Sequence, residues 1–232
     1  MKKFELTDEF ITNAFGNKLF RIKAIVDFGT IRAGELGGFV EKEENLSNDD
    51  NAWVSGNARV SDDARISDDA RISGNAQVSG NASVFGNASV SDDARISGNA
   101  QVSGNAQVSG NASVSDDAWV SGNAQVYGNA RISGNASVSD DARISGNAQV
   151  YGNADYAVVE GFGRYFRATT FFRCKDKILR VQCGCFYGDL AEFREIVKKT
   201  HGDSKYAKEY LAIADLMELH FSDDEGRQEA AE

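Results

Sequence analysis

The chain has 232 residues, 41% of them hydrophobic, with no proline, 23 glycines and a formal net charge of −10. That charge argues against non-specific binding to nucleic acid or to an anionic membrane, because phosphate contacts need clustered Lys and Arg. Its three cysteines, confined to positions 174–185, make no disulfide framework, and no run approaches the ~18 apolar residues of a membrane span.

The chain opens Met1-Lys2-Lys3-Phe4-Glu5 and lacks the apolar core of a signal peptide, so a cytoplasmic protein is expected. Residues 1–51 read as an N-terminal cap. Leu19–Val26 has strand character, and Gly34, Gly37 and Gly38 are expected to supply turns leading toward residue 52.

From Val54 to Val150 an aliphatic residue, always Val or Ile, falls at every sixth position, seventeen times without a gap. Ala sits two residues before each. In the unit Ala-x-[Val/Ile]-Ser the alternation turns Ala and the aliphatic residue to one side and x and Ser to the other, a short strand. The next pair, Gly-Asn or Asp-Asp, is turn chemistry, and its second member is expected to take the positive φ. Three such corners close a triangular coil of 18 residues, so 52–154 should wind nearly six coils, a prism roughly 27 Å long at ~4.8 Å per rung. The interior is narrow, which is why one of the two inward residues is Ala.

These residues resemble the hexapeptide repeat of left-handed parallel β-helix proteins. The lead-in Ala33-Gly34-Glu35-Leu36-Gly37-Gly38-Phe39-Val40, with Asn45-Leu46-Ser47 after it, is similar to the start of bacterial and prophage β-helix proteins. The resemblance implies the left hand of the coil and a homo-oligomer, a trimer being common among hexapeptide proteins. It also raises enzymes of the same fold. Their acyltransferases typically use a histidine general base on the coil, and their γ-type carbonic anhydrases hold zinc with three His. Here the repeat holds no His, Lys or Cys, and the chain has only His201 and His220.

Asp-Asp corners begin at 62, 68, 92, 116 and 140, the last four spaced by 24. Because 24 is not a multiple of 18, successive copies fall on different faces. The outward residues then sort into three columns: Trp53, Arg71, Ser89, Gln107, Gln125, Arg143; Arg59, Gln77, Arg95, Ser113, Arg131, Gln149; and Arg65, Ser83, Gln101, Trp119, Ser137, Asp155. None is uniform, which excludes a face matched to a lattice or a ladder of identical ligands. Trp53 and Trp119 are the large outward residues, and Phe85, Tyr127 and Tyr151 replace Ser at corners, so Trp53, Trp119, Tyr127 and Tyr151 are interaction candidates. Arg59, Arg95 and Arg131 share the most basic column and are candidates for a small anion.

After Ala154 the composition shifts to aromatic and cationic residues, and 155–222 reads as a βββαα domain. Its strands are expected at 156–160, 164–174 and 178–185. A two-residue loop at Asp176-Lys177 would set Phe172, Cys174, Leu179, Val181, Cys183 and Cys185 on one apolar face. Asp189 is the expected N-cap of a helix with Leu190, Phe193 and Val197 on one stripe, ended by Gly202. A second helix from about Ser204 aligns Tyr206, Tyr210, Ile213, Ala214, Met217 and Phe221. Residues 223–232 form an acidic tail expected to be disordered. Cys174, Cys183, Cys185 and His201 are the zinc candidates, weighed against simple core packing.

The expected architecture is mainly β, a left-handed parallel β-helix with a cap and a small α+β domain. No cofactor is expected. The expected role is a non-catalytic binding or scaffold protein acting on a protein partner. The prophage resemblance implies an accessory role toward a host defence factor. The alternatives are an acyltransferase-like enzyme with an inter-subunit site and a protein that sequesters a small anion.

Overall fold

The structure, a computed structural model, describes residues 2–222; the expected acidic tail at 223–232 lies outside the described residues. The chain divides into two compact units, 1–153 and 154–232.

In the first unit, strands β1 (Phe4–Thr12) and β2 (Lys18–Ala24) form an antiparallel hairpin that pairs with β3 (Leu36–Val40). Seventeen two-residue strands follow at six-residue intervals, from β4 (Trp53–Val54) to β20 (Gln149–Val150). Each pairs in parallel with the strand 18 residues away, so Arg95 lies between Gln77 and Ser113, and Ile96 between Val78 and Val114. The result is a parallel β-solenoid of about six three-sided coils, its sheets holding nine, six and five strands. The nine-stranded sheet includes the hairpin, which covers what would otherwise be an open first edge.

Periodicity alone places the interior correctly. Every Ala from 52 to 148 and every Val or Ile from 54 to 150 is at most 1% exposed. The coil begins earlier than the repeat, however. Val40 pairs with Val60 and Leu46 with Ile66, so the two already act as interior positions six residues apart. Val54 then follows Leu46 by eight positions and not six, and the extra pair forms the loop that receives the N-terminus.

Gly37 and Gly38 are not turn residues. They lie inside β3 against the first coils, where a Cβ on Gly37 would strike Ile22 and the Val54 carbonyl, and one on Gly38 would come within 2.7 Å of the Ala58 oxygen. Gly34, with φ +91°, does turn the chain.

The corners follow a rule that spacing did not reveal. Positive φ belongs to the first corner residue, Gly or Asp, and not to the second: Gly56 has φ +64°, Asp62 +59° and Asp92 +59°. The second residue instead builds ladders. Asn87 Nδ2 donates to Asn105 Oδ1, Asn105 to Asn123 and Asn123 to Asp141, at 3.1, 2.9 and 3.0 Å. Asn57 to Asn75 to Asp93 and Asn81 to Asn99 to Asp117 do the same. A carboxylate accepts and cannot donate, so each of these ladders stops at its Asp.

The N-terminus is anchored by Lys3. Its backbone N–H donates to Asn48 Oδ1 at 3.0 Å, and its Nζ donates to the carbonyls of Asp49 and Asp50 at 3.1 and 3.3 Å. The ammonium also sits over the Phe28 ring, 4.9 Å from the centroid. Burial outweighs the attraction of Asp50, Asp49 and Asp69 and lowers the Lys3 pKa to about 8. Between that value and the ordinary 10.5 the unfolded chain binds more protons, so the contribution of Lys3 to stability rises with pH across this window and is lost as pH falls through 8. Denaturant titrations of wild type and Lys3→Met at about pH 7 and about pH 10 should show the difference moving toward the wild type at the higher pH.

The second unit has four strands rather than three: β21 (Tyr156–Val159), β22 (Thr169–Arg173), β23 (Leu179–Cys183) and β24 (Phe186–Asp189), followed by α1 (Leu190–His201) and α2 (Lys205–His220). Gly184, with φ +59°, breaks the expected third strand into a tight hairpin. Residues 160–168 leave the sheet as a loop with positive φ at Gly161, Gly163 and Phe166.

The β22–β23 register also differs by one residue. Arg173 pairs with Leu179, and Lys177 takes φ +63° in a three-residue loop. Because side chains alternate, a one-residue slip exchanges faces. Phe171, not Phe172, therefore joins Leu179, Val181 and Cys183 on the side that packs the helices.

Both helices start and stop where their end residues dictate. Asp189 forms a capping box with Glu192, Ser204 caps α2, and Gly202 at φ +53° ends α1. Leu190, Phe193 and Val197 of α1 meet Tyr210, Ile213, Ala214 and Met217 of α2 over the sheet. Among the described residues, no helix is long and apolar enough to cross a membrane.

Candidate functional site

The three sheets of the solenoid carry the outward columns read from the sequence, except that Asp155 falls in a 3-10 turn, Asn153–Asp155, rather than on a strand. Arg59, Arg95 and Arg131 are exposed on one sheet, in every second coil. Trp119 is 47% exposed and its indole N–H donates to Ser103 Oγ at 3.1 Å, while Tyr151 is exposed and Tyr127 half-buried.

Trp53 is not an exposed contact residue. The connection before β3 folds over it, Phe28 meets it edge to face at 5.5 Å, and only 4% of its surface remains accessible. Quenching by acrylamide should therefore separate the two tryptophans. Fluorescence of the Trp53→Phe variant, which reports Trp119, should be quenched several-fold more steeply than that of Trp119→Phe. Equal slopes would contradict this packing. A groove of about 460 Å³ beside Trp53 is lined by Ile31, Arg71 and the hydroxyl-bearing Ser73, Ser89 and Ser91. Among the described residues the buried indole N–H of Trp53 has no hydrogen-bond partner.

The four zinc candidates do not gather. The strand register puts Cys174 on one face of the second-unit sheet and Cys183 on the other. Cys185 is exposed at the β23–β24 turn. Among the described residues no group of three or more His, Cys, Asp or Glu is placed to hold a metal ion. The same register does bring Cys183 and Cys185 together with His201 around a cavity of about 230 Å³.

Its walls come from four pieces of chain. The β23–β24 turn supplies Cys183, Gly184, Cys185 and Phe186. Helix α1 supplies Phe193, Ile196, Val197, Thr200 and His201, and α2 supplies Tyr210. The 160–168 loop supplies Arg164, Tyr165 and Arg167. The lining is mostly hydrocarbon, with Phe193 set edge to face against Tyr210 at 5.8 Å and tilted against Phe186 at 5.6 Å.

Thr169 Oγ1 donates to Cys183 Sγ at 3.2 Å. Burial pushes the Tyr210 phenol up to about 12; the neighbouring Cys183 sulfur adds to that rise and Arg167 opposes it. Tyr210 fits because residue 163 is glycine, since a Cβ there would overlap its hydroxyl. The Gly163 N–H in turn donates to Glu209 at 2.9 Å, which ties the loop to α2. The His201 ring lies 5.7 Å from that of Tyr210.

Sequence reading missed Arg164, Tyr165 and Arg167 because it drew 164–174 as one strand. The signal was present in Gly161-Phe162-Gly163-Arg164-Tyr165-Phe166-Arg167, where two closely spaced glycines lead into a pair of rings between two cations. Here Arg164 and Arg167 flank the Tyr165 ring at 5.5 and 5.0 Å. Phe162, Tyr165 and Phe166 are 44%, 62% and 70% exposed, the densest group of bare aromatics in the unit.

A family model described as the YdcK beta solenoid repeat matches residues 64–76, 76–92, 106–122 and 124–140, all within the coil. No curated protein matches the chain. Repeat pattern, strand pairing and family model agree, and the chain is a β-solenoid repeat protein.

Proposed function

We propose that the chain is a non-catalytic binding protein, in which the solenoid is a plain support and the C-terminal α+β unit makes the specific contact. One observation carries this reading. Every cysteine and histidine lies in the second unit, as does the apolar cavity with its aromatic and arginine-bearing loop, whereas the coil offers Ser, Gln, scattered Arg and the separate rings of Trp119 and Tyr151 over laddered amides. Large exposed rings beside arginines are the usual anchors of a protein interface. The partner class is a protein; the prophage-like lead-in suggests a host defence factor, and the hexapeptide resemblance suggests a homotrimer.

The test pairs two surface changes. Immobilised full-length protein carrying Tyr165→Ser and Phe166→Ser should lose a partner that wild type and Trp119→Ser both retain, as read by mass spectrometry of the bound fraction. Loss through Trp119→Ser alone would move the contact to the solenoid. Turnover of an acyl-CoA donor by the purified chain would replace the binding reading with the enzyme one.

A further inference from the structure

We propose that the cavity of the C-terminal unit binds a hydrocarbon group carrying one anionic head, the hydrocarbon lying against Phe186, Phe193, Ile196 and Val197 and the head meeting Arg164 and Arg167. This rests on the binding reading above and names the ligand chemistry of the same site.

Size and lining define the body of the ligand. A dry apolar cavity of roughly 150 Å³ takes up benzene, so about 230 Å³ suits a substituted ring or a chain of about six to eight carbons. The apolar part of the wall, Phe186, Phe193, Ile196 and Val197, offers nothing to the edge of a nucleobase. The Tyr210 oxygen is packed at Gly163 beside Cys183, and the Cys183 sulfur already accepts from Thr169.

Charge defines the head. Elsewhere in this unit Arg180 is matched with Asp176 at 2.8 Å, Arg194 with Asp215 and Glu218 at 2.8 and 2.7 Å, and Arg173 donates to the Phe221 carbonyl at 2.7 Å. Arg164 and Arg167 have no carboxylate within 4.0 Å among the described residues, in a chain of net charge −10. They flank Tyr165 at the cavity, and Arg167 Nη1 lies against Gly184, where an added Cβ would come within 3.0 Å. A planar guanidinium fork left open beside an apolar hole fits an anionic oxygen pair carried on hydrocarbon.

The cavity thiols give the experiment a reporter. Full-length protein is titrated by calorimetry with octanoate, with octanol and with N-acetyl-glycyl-phenylalanine, and iodoacetamide labelling of each cysteine is followed by peptide mass spectrometry. Octanoate should bind, slow labelling of Cys185 several-fold and leave that of the buried Cys174 unchanged. Octanol should bind about tenfold more weakly, the worth of one charge-assisted pair at a partly exposed site. Arg164→Gln with Arg167→Gln should remove that difference while leaving octanol binding as it was. Thr200→Phe, at an exposed lining position, should block both. Tighter binding of the peptide than of octanoate would identify the source of the anion as a chain terminus, and the reverse a free acid. No binding of any probe, equal binding of octanoate and octanol, or undiminished octanoate binding in the double variant would overturn the proposal. Because these readouts need no partner protein, failure here leaves the binding reading standing, and loss of the captured partner leaves this one standing.

Discussion

Ala106→Leu should destabilise the solenoid by about 3 kcal/mol, with a clear fall in the guanidinium midpoint, whereas Gln107→Leu one residue on should change stability by less than about 0.5 kcal/mol. Both changes place a leucine on the same rung, at the strand Gln107–Val108 and the residue before it. Ala106 is wholly buried, with Ala88 and Ala124 directly before and after it in the stack, one coil away on each side. At ~4.8 Å per rung there is no room for three further carbons without driving side chains off their rotamers. Gln107 points outward between Ser89 and Gln125, where a leucine meets water. Each coil touches chiefly its two neighbours, so damage at mid-stack opens two interfaces at once. An unchanged midpoint for Ala106→Leu would mean that the interior is not filled as described. The paired measurement also isolates direction from chemistry, because any general effect of adding a leucine appears in both variants.

That contrast explains why so much of the first unit was legible. A period of six with Ala and Val/Ile at fixed places leaves one way to bury both, and columns 18 residues apart follow from three corners per coil. Legibility stopped where a residue's role depended on the next coil and not on its own hexad. The outward alternation assigned Trp53 to solvent, but a segment some 25 residues earlier folds Phe28 over it. Gly37 and Gly38 looked like turn residues and are close-approach residues, a difference visible only once Ile22, Val54 and Ala58 are in place. In the second unit the helix ends were readable because Asp189, Gly202 and Ser204 act locally. The hairpin was not, because a two-residue and a three-residue loop at 175–177 differ by one residue of register and reverse which face holds Phe171 or Phe172. Cys183 and His201 stand out by residue type alone, whereas Arg164 and Arg167 sit in the 160–168 loop, which the expected strand at 164–174 conceals.

At the corners, Gly104→Ala should cost about 2 kcal/mol and Gly104→Asp about 1 kcal/mol less than that. Gly104 has φ +65°, and a Cβ there would come within 2.9 Å of the Gly122 carbonyl oxygen and 3.0 Å of its nitrogen. Alanine meets both penalties with nothing gained. Aspartate meets the same two, yet the chain already uses it with φ from 56° to 59° at 62, 68, 92, 116 and 140. Four of these show why. Asp62, Asp68, Asp92 and Asp116 accept from the N–H of Gly80, Gly86, Gly110 and Gly134, one coil on, at 3.0, 2.8, 2.9 and 3.1 Å. The carboxylate satisfies a backbone donor that a glycine corner leaves to water, and short polar side chains tolerate the left-handed region best. Gly122 would offer the same N–H to an aspartate at 104. The converse series should follow the same order, with Asp92→Gly near neutral and Asp92→Ala the worse of the two, as read from denaturant midpoints. The 24-residue spacing then has a physical consequence. Each step of 24 moves the next Asp corner to a different face, so Asp62, Asp68, Asp92 and Asp116 all have glycine, not another aspartate, one coil ahead. A repeat of 18 would have stacked carboxylates at ~4.8 Å, exchanging each hydrogen bond for a like-charge contact. If Gly104→Asp proves as damaging as Gly104→Ala, the hydrogen bond contributes nothing and the spacing loses this explanation.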